Sequence, residues 1–353
     1  MNAVIHFHIK KLIKSAGAIA LLTLLIITQT GCGSKTDEPV SRTEYYLNTT
    51  CQISVYGMDS SEAEKLLDEA YDTVSKYENL LSKTVKGSDV YRINHAKGEA
   101  VTVSDDTLQV LEMALTMGEL SGGAFDCTVG ALVDLWNFTG ENPKVPDDAD
   151  VDKAVGSVDY RNVEISGNQV SLADPAAAID LGGIAKGYIA DRTAEILEKG
   201  GASSAIVNLG GNVVTIGSKP DGSPFVVGIE RPYSDRTEMV GSVKAADRTL
   251  VTSGIYERNF KENGKLYHHV LDPKTGYPAE TDLEAVTIAA DKGYSGFCDG
   301  LSTSCLIMGE DRAKKFIADI QAKYPDMHIE ASFINSDDKL SVTDCMDVEL
   351  AEE

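Results

Sequence analysis

The order of its segments most constrains what this chain can fold into, because strand-like and helix-like stretches come in blocks without strict alternation. Tyr45–Tyr56 (YYLNTTCQISVY) has the β-branched and aromatic content of a strand. Ser61-x-x-Glu64 then reads as a capping box, opening a helix whose apolar positions Ala63, Leu66, Leu67, Ala70, Val74, Tyr77 and Leu81 recur at helical spacing. A second helix follows Ser104, carries Leu108, Leu111 and Leu115 on one face, and stops at Ser121-Gly122-Gly123. A third, Lys186–Lys199, is closed by Gly200-Gly201. From Ser203 the pattern turns to strands: SSAIVNLGG, NVVTIGS and, after the turn residues Lys219–Gly222, FVVGIERP. Leu283–Ala290 is a further strand and Asp311–Lys323 a further helix, and HIEASFI and KLSVT form a hairpin around Asn335–Asp338. A parallel sheet built of βαβ units requires alternation, so the expectation is an α+β fold of largely antiparallel sheets with packed helices. No proline-rich or low-complexity linker interrupts Tyr45–Thr343, so residues 44–345 read as a single unit and 346–353 as an acidic, solvated tail.

The N-terminal residues 1–31 read as a signal rather than as part of the fold. Lys10, Lys11 and Lys14 precede an uncharged run, Ser15–Thr30, that ends at Gly31-Cys32. The run is short of the roughly 20 residues a membrane-spanning helix needs. A basic region, a short apolar region and a small residue before cysteine form the pattern of a lipoprotein signal peptide. The expectation is cleavage before Cys32, lipidation of that residue with palmitate-type chains, and a tether over residues 32–43. That places the chain on the extracytoplasmic face of the cell membrane; an uncleaved N-terminal anchor is the alternative.

Charge excludes one class of partner. With 55 acidic against 32 basic residues the net charge is −23, so nucleic acid cannot be bound by bulk attraction, and any phosphate must be held locally by a metal ion or a few placed donors. After Cys32, five cysteines remain (Cys51, Cys127, Cys298, Cys305 and Cys345) with no CxxC pair and no zinc spacing, and they read as buried free thiols.

Four segments could carry chemistry. Asp180–Gly187 (DLGGIAKG) lets the backbone approach a ligand and opens a helix whose first amides could face an anion, or it is an ordinary loop-to-helix turn. Ser121–Asp126 (SGGAFD) is a helix stop followed by a core phenylalanine, or a glycine-flanked ring suited to a planar ligand. His268–Pro278 (HHVLDPKTGYP) is turn chemistry, yet it holds two of the four histidines that remain after residue 31. In Asp299–Thr303 (DGLST) a carboxylate and two hydroxyls share a helix face, the hard-oxygen set Mg²⁺ prefers; alternatively Asp299 is an N-cap.

Together with NLGGNV and TSGIYER, and in their order along the chain, these segments resemble the FAD:protein FMN transferase (ApbE-like) family from Tyr45 to Met308. The resemblance implies a T-fold-related α+β catalytic unit. It also implies a reaction in which FAD is bound with Mg²⁺, a Thr or Ser hydroxyl of an acceptor redox protein attacks the FMN-side phosphorus, and AMP leaves. It places the metal on the Gly183 carbonyl and on Asp299, Ser302 and Thr303. Flavin contacts fall on Leu47, Thr84, Ala124, Phe125, Asp126, Asp180, Lys186 and Val270, and the transfer step on His269 together with Asp299. Leu47 stands where the family often has methionine, and Thr84 where it has an aromatic residue. The alternatives are an FAD diphosphatase, which gives FMN and AMP by attack of water, and a flavin-binding lipoprotein without chemistry.

Overall fold

The computed structural model describes residues 38–234 and 238–351; the predicted signal (1–31), Cys32 and the start of the tether lie outside them. Eight strands lie side by side in the order they occur in the chain: Val40–Tyr46, Thr49–Val55, Ala205–Leu209, Asn212–Ile216, Arg248–Gly254, Leu283–Asp291, Glu330–Asn335 and Leu340–Val342. Every neighbouring pair is antiparallel. Eight helices are inserted into this meander: α1 (Ser60–Leu81), α2 (Asp89–His95), α3 (Asp105–Leu120), α4 (Gly130–Trp136), α5 (Asp148–Val155), α6 (Ala185–Lys199), α7 (Ser295–Met308) and α8 (Glu310–Lys323). The fold is α+β with antiparallel sheets, as the blocks of segments imply.

The central strands of the sheet are buried on both faces, and their period-two alternation divides the core. Val251, Val286, Ile288, Ala290 and Phe333 point into the main apolar cluster, which they share with residues of α1, α6 and α7. Leu250, Ala285, Ala289 and Ile334 point the other way, against Ile229, Val240, Val243 and Met346. That second cluster lies beneath a small sheet of Phe225–Glu230, Met239–Ala245 and Glu349–Leu350. No helix among the described residues is long and apolar enough to cross a membrane.

Local chemistry explains some of the boundaries. Ser104 caps α3 by accepting the Thr107 amide at 3.2 Å. The start of α1 differs from expectation: Asp59, not Ser61, is its cap and accepts the Ser61 amide at 2.9 Å and the Ser61 hydroxyl at 2.7 Å. The expected single strand Tyr45–Tyr56 is two strands joined at Leu47-Asn48, both at positive φ (55° and 56°). Paired positive φ marks a type I′ hairpin turn, but without the usual Asn-Gly it leaves little trace in the sequence. Val40–Arg42, read as tether, already pair with Ile53–Val55. The acidic tail is also partly structured: Met346 is 5% exposed in the second cluster, and Glu349–Leu350 pair with Gly241 and Ser242. Free edge hydrogen bonds and one buried methionine outweigh the acidic composition there. Cys51, Cys127, Cys298 and Cys305 are buried free thiols, and burial pushes Cys51 up to about 11. Cys345, expected to be buried, is an exposed thiol.

Candidate active site

The site forms where α6 and α7 meet. Two glycines permit the approach: a Cβ on Gly187 would lie 2.1 Å from the Ser295 carbonyl oxygen, and one on Gly296 would lie 3.1 Å from the Tyr188 amide nitrogen. The close crossing brings Asp299, in the second turn of α7, onto the first turn of α6. Asp299 is 2% exposed and accepts the Gly187 amide at 3.1 Å, while Lys186 Nζ stands 3.4 Å from both carboxylate oxygens. Lys186 also donates to the Gly182 carbonyl at 3.1 Å, tying the glycine loop to its own helix. Of the two readings of the Asp299 segment, the N-cap is excluded. Asp299 does not cap α7, which starts four residues earlier at Ser295; the anion facing the first amides of α6 is the carboxylate of Asp299 itself.

Three separate segments converge on Gly183. A Cβ there would lie 3.2 Å from the Phe125 ring and 3.3 Å from Thr303 Oγ1, so the absence of a side chain lets the SGGAFD loop, the DLGG loop and α7 come together. Ser302, wholly buried, donates to the Asp299 carbonyl at 3.0 Å and shares a 2.7 Å hydrogen bond with Ser253, whose hydroxyl lies 3.5 Å from that of Thr303. Asp299, Ser302 and Thr303 lie on consecutive turns of α7, with Thr303 against Gly183, and these oxygens are of the hard type a small divalent cation prefers.

His269 lies within electrostatic reach of Lys186. The hairpin Asn259–Glu262/Lys265–His268 delivers it, and the following turn fixes it: Gly276 donates to the Asp272 carbonyl at 2.8 Å, and Trp136 Nε1 donates to the Gly276 carbonyl at 2.7 Å. The His269 amide and Nδ1 lie 3.0 and 3.2 Å from the Arg258 carbonyl. A carbonyl can only accept, so Nδ1 carries the proton and the Nε2 lone pair is left free. Burial, then the Arg258 guanidinium, His268 and Lys186, hold this half-buried imidazole well below the ordinary histidine value, so it is neutral at pH 7. Its neighbour His268, 6% exposed, is pushed down to about 4 by burial and faces the Ala279 carbonyl at 3.2 Å through Nε2.

The remaining expected contacts are distributed around this centre. Ala124 and Val270 are buried, 4% and 7% exposed. Asp180 accepts the Gly182 amide at 2.7 Å and meets Lys83 at 3.4 Å. Leu47 is half-buried in its hairpin turn; the neighbouring Asn48 carbonyl accepts Arg258 at 3.3 Å, linking the turn to the His269 segment. Asp126 has a different occupation: one oxygen binds the amide and hydroxyl of Thr128 (2.7 and 2.6 Å), the other the Tyr160 amide (2.8 Å), and burial raises its pKa. Thr84 is exposed and hydrogen-bonds Ser82; it is the adjacent Lys83 that reaches Asp180, Asp134 and the Gly130 carbonyl. Sequence reasoning missed Lys83, Ser253 and Arg258. Only the serine and the arginine stood in a flagged segment, TSGIYER.

A buried carboxylate with a lysine on it, nearby hydroxyls, an aromatic ring and a neutral imidazole are groups able to bind a phosphorylated ligand and move a proton. The ApbE family matches residues 47–326, and the chain belongs to that family. An FAD:protein FMN transferase of Treponema pallidum (strain Nichols) is 32% identical over 337 residues, covering 89% of this chain and 92% of that protein. Another, from Klebsiella pneumoniae (strain 342), is 36% identical over 239 residues, 67% and 74% of the two chains. Among solved structures, the ApbE protein of Thermotoga maritima superposes with a TM-score of 0.78 at 31% identity, over 87% of this chain and 97% of its own. The flavin transferase ApbE of Vibrio cholerae gives 0.76 at 29% identity, over 87% and 96%.

Proposed function

We propose that this enzyme transfers FMN from FAD to a Thr or Ser hydroxyl of an acceptor redox protein and releases AMP. The observation that carries the reading is the meeting of Phe125 and Thr303 at Gly183 beside the Lys186–Asp299 pair, with the neutral imidazole of His269 within electrostatic reach of Lys186. The flavin ring lies against Phe125, Ala124 and Val270, and the diphosphate lies over the Gly182-Gly183 backbone beside Lys186. The acceptor hydroxyl oxygen forms a bond to the FMN-side phosphorus, and its proton passes to His269 Nε2. The bond from that phosphorus to the bridging oxygen breaks, and AMP leaves with the electron pair. Lys186 offsets charge that develops on the phosphoryl oxygens. Asp299, Thr303, Ser302 and the Gly183 carbonyl would hold Mg²⁺, which supplies charge neutralisation at the diphosphate.

The same reading extends to location. We place the enzyme on the extracytoplasmic face of the cell membrane, anchored by lipid on Cys32, where an acceptor domain of a membrane redox protein would meet it.

A Mg²⁺ titration of Asp299→Ala with FAD and acceptor tests the site. The variant is expected to transfer no FMN at any metal concentration, since the remaining oxygens carry no negative charge. Transfer restored by saturating metal would remove Asp299 from the site.

A further inference from the structure

α6 and α7 cap one another. α7 has no side-chain cap of its own, since Tyr294 occupies the cap position without a hydrogen bond. Its first turn is instead served from the neighbouring helix: Asp191, one and a half turns along α6, accepts the Gly296 amide at 3.1 Å, and the Ser295 amide also bears on its carboxylate. The converse contact is Asp299 of α7 on the Gly187 amide of α6, a helix likewise without a side-chain cap. Each aspartate thus binds the N-terminus of the other's helix, at the crossing where Gly187 and Gly296 leave no room for a Cβ.

Asp191 is costly to keep there. It is 5% exposed, its Oδ1 has no hydrogen-bond partner, and the nearby Ser295 hydroxyl has none either. Burial raises its carboxyl to about 7, against the pull of its two amides and Arg192; the other charges bearing on it are Glu195, which adds to the rise, and the thiol of Cys298, whose own value it helps raise. A buried carboxylate with an orphan oxygen is weak evidence of a stabilising role, because an apolar group of similar size often serves stability better.

We propose that Asp191 is a positioning residue of the flavin-transfer site: by binding the first-turn amides of α7 it fixes the register at which Asp299 meets Gly187, Lys186 and the neighbouring hydroxyls. The metal part of this inference rests on the function proposed above; the register part stands on the two helices alone. The test compares Asp191→Asn, which keeps an oxygen acceptor for the Gly296 amide, with Asp191→Leu, which fills the space without one. Three quantities are measured on the full chain: the thermal midpoint, hydrogen exchange of the Gly187 amide, and Mn²⁺ affinity from the paramagnetic signal of free metal. Asp191→Leu is expected to lose at least tenfold in Gly187 protection and tenfold in Mn²⁺ affinity, both measured well below its thermal midpoint, where the chain is folded. Asp191→Asn should stay within about threefold of wild type in both. Unchanged Gly187 protection in Asp191→Leu would overturn the proposal, as would equal losses in both variants that follow a fall in thermal midpoint. Wild-type protein that binds no Mn²⁺ counts against the metal-dependent function and leaves Gly187 exchange to decide the role of Asp191.

Discussion

Gly187→Ala puts the account under direct strain. The added Cβ would lie 2.1 Å from the Ser295 carbonyl oxygen, 2.5 Å from its carbon and 2.8 Å from Gly296 Cα. All three are backbone, so no rotamer relieves the contact, and α6 must retreat from α7 by about 1 Å to restore ordinary packing. Forcing a methyl into a packed interior costs about 3 kcal/mol, against at most about 1 kcal/mol gained from replacing glycine by alanine in a helix. The net loss of about 2 kcal/mol corresponds, for a unit of about 300 residues, to a thermal midpoint lowered by about 3 °C. The same retreat lengthens the 3.1 Å contact from Gly187 to Asp299, so FMN transfer should fall at least tenfold in a fixed-time assay with FAD and acceptor. Gly222→Ala is the control: it strains a positive-φ backbone (83°) in a remote turn with open space around it, and should lower the midpoint while leaving the rate per folded molecule unchanged. A Gly187→Ala enzyme with a lowered midpoint but wild-type turnover would refute the claim that this crossing sets the position of Asp299.

Two further outcomes follow from the histidines. His269→Ala should suppress transfer far more than FAD binding, and in the wild type the acidic limb of kcat/KM should fall below the ordinary histidine value of about 6.5, because the imidazole is held neutral; a limb at or above 6.5 contradicts that. His268, native value about 4, resists protonation in the fold while the unfolded chain takes up a proton near 6.5, so stability falls as pH drops from 6.5 towards 4, by about 3 kcal/mol. Asp191, raised to about 7, favours the fold on the acid side and gives the opposite slope between about 4 and 7. Thermal midpoints of wild type and His268→Gln at pH 7.5 and 4.5 separate the two, and a wild-type acid loss no larger than the variant's rules His268 out as its source.

The elements that declared themselves in the sequence are those whose information is local. The apolar spacing from Ala63 to Leu81, the Ser104 cap and the Gly200-Gly201 stop each specify a boundary within a few residues, and α1, α3 and α6 follow them. What sequence could not show depends on partners far away in the chain. Asp299 reads as an N-cap until the Gly187 amide, 112 residues earlier, is found against it. That Asp126 also ties its own loop together, through Thr128 and the Tyr160 amide 34 residues on, is equally invisible until the chain is folded. Lys83 is an unremarked surface-type residue until Asp134 and Asp180 fold around it. The Leu47-Asn48 turn is hidden for a different reason: the sheet imposes positive φ on residues that do not advertise it.

The acceptor itself reports which nucleophile attacks the FMN-side phosphorus. A candidate acceptor redox protein with an exposed Thr is incubated with this enzyme, FAD and Mg²⁺, and its intact mass is measured alongside the nucleotides released. The account predicts an acceptor heavier by FMN less one water, with the adduct on the Thr hydroxyl and one AMP released for each adduct formed. An unmodified acceptor accompanied by free FMN and AMP would contradict it, because water and not the acceptor hydroxyl would then be the nucleophile at this site.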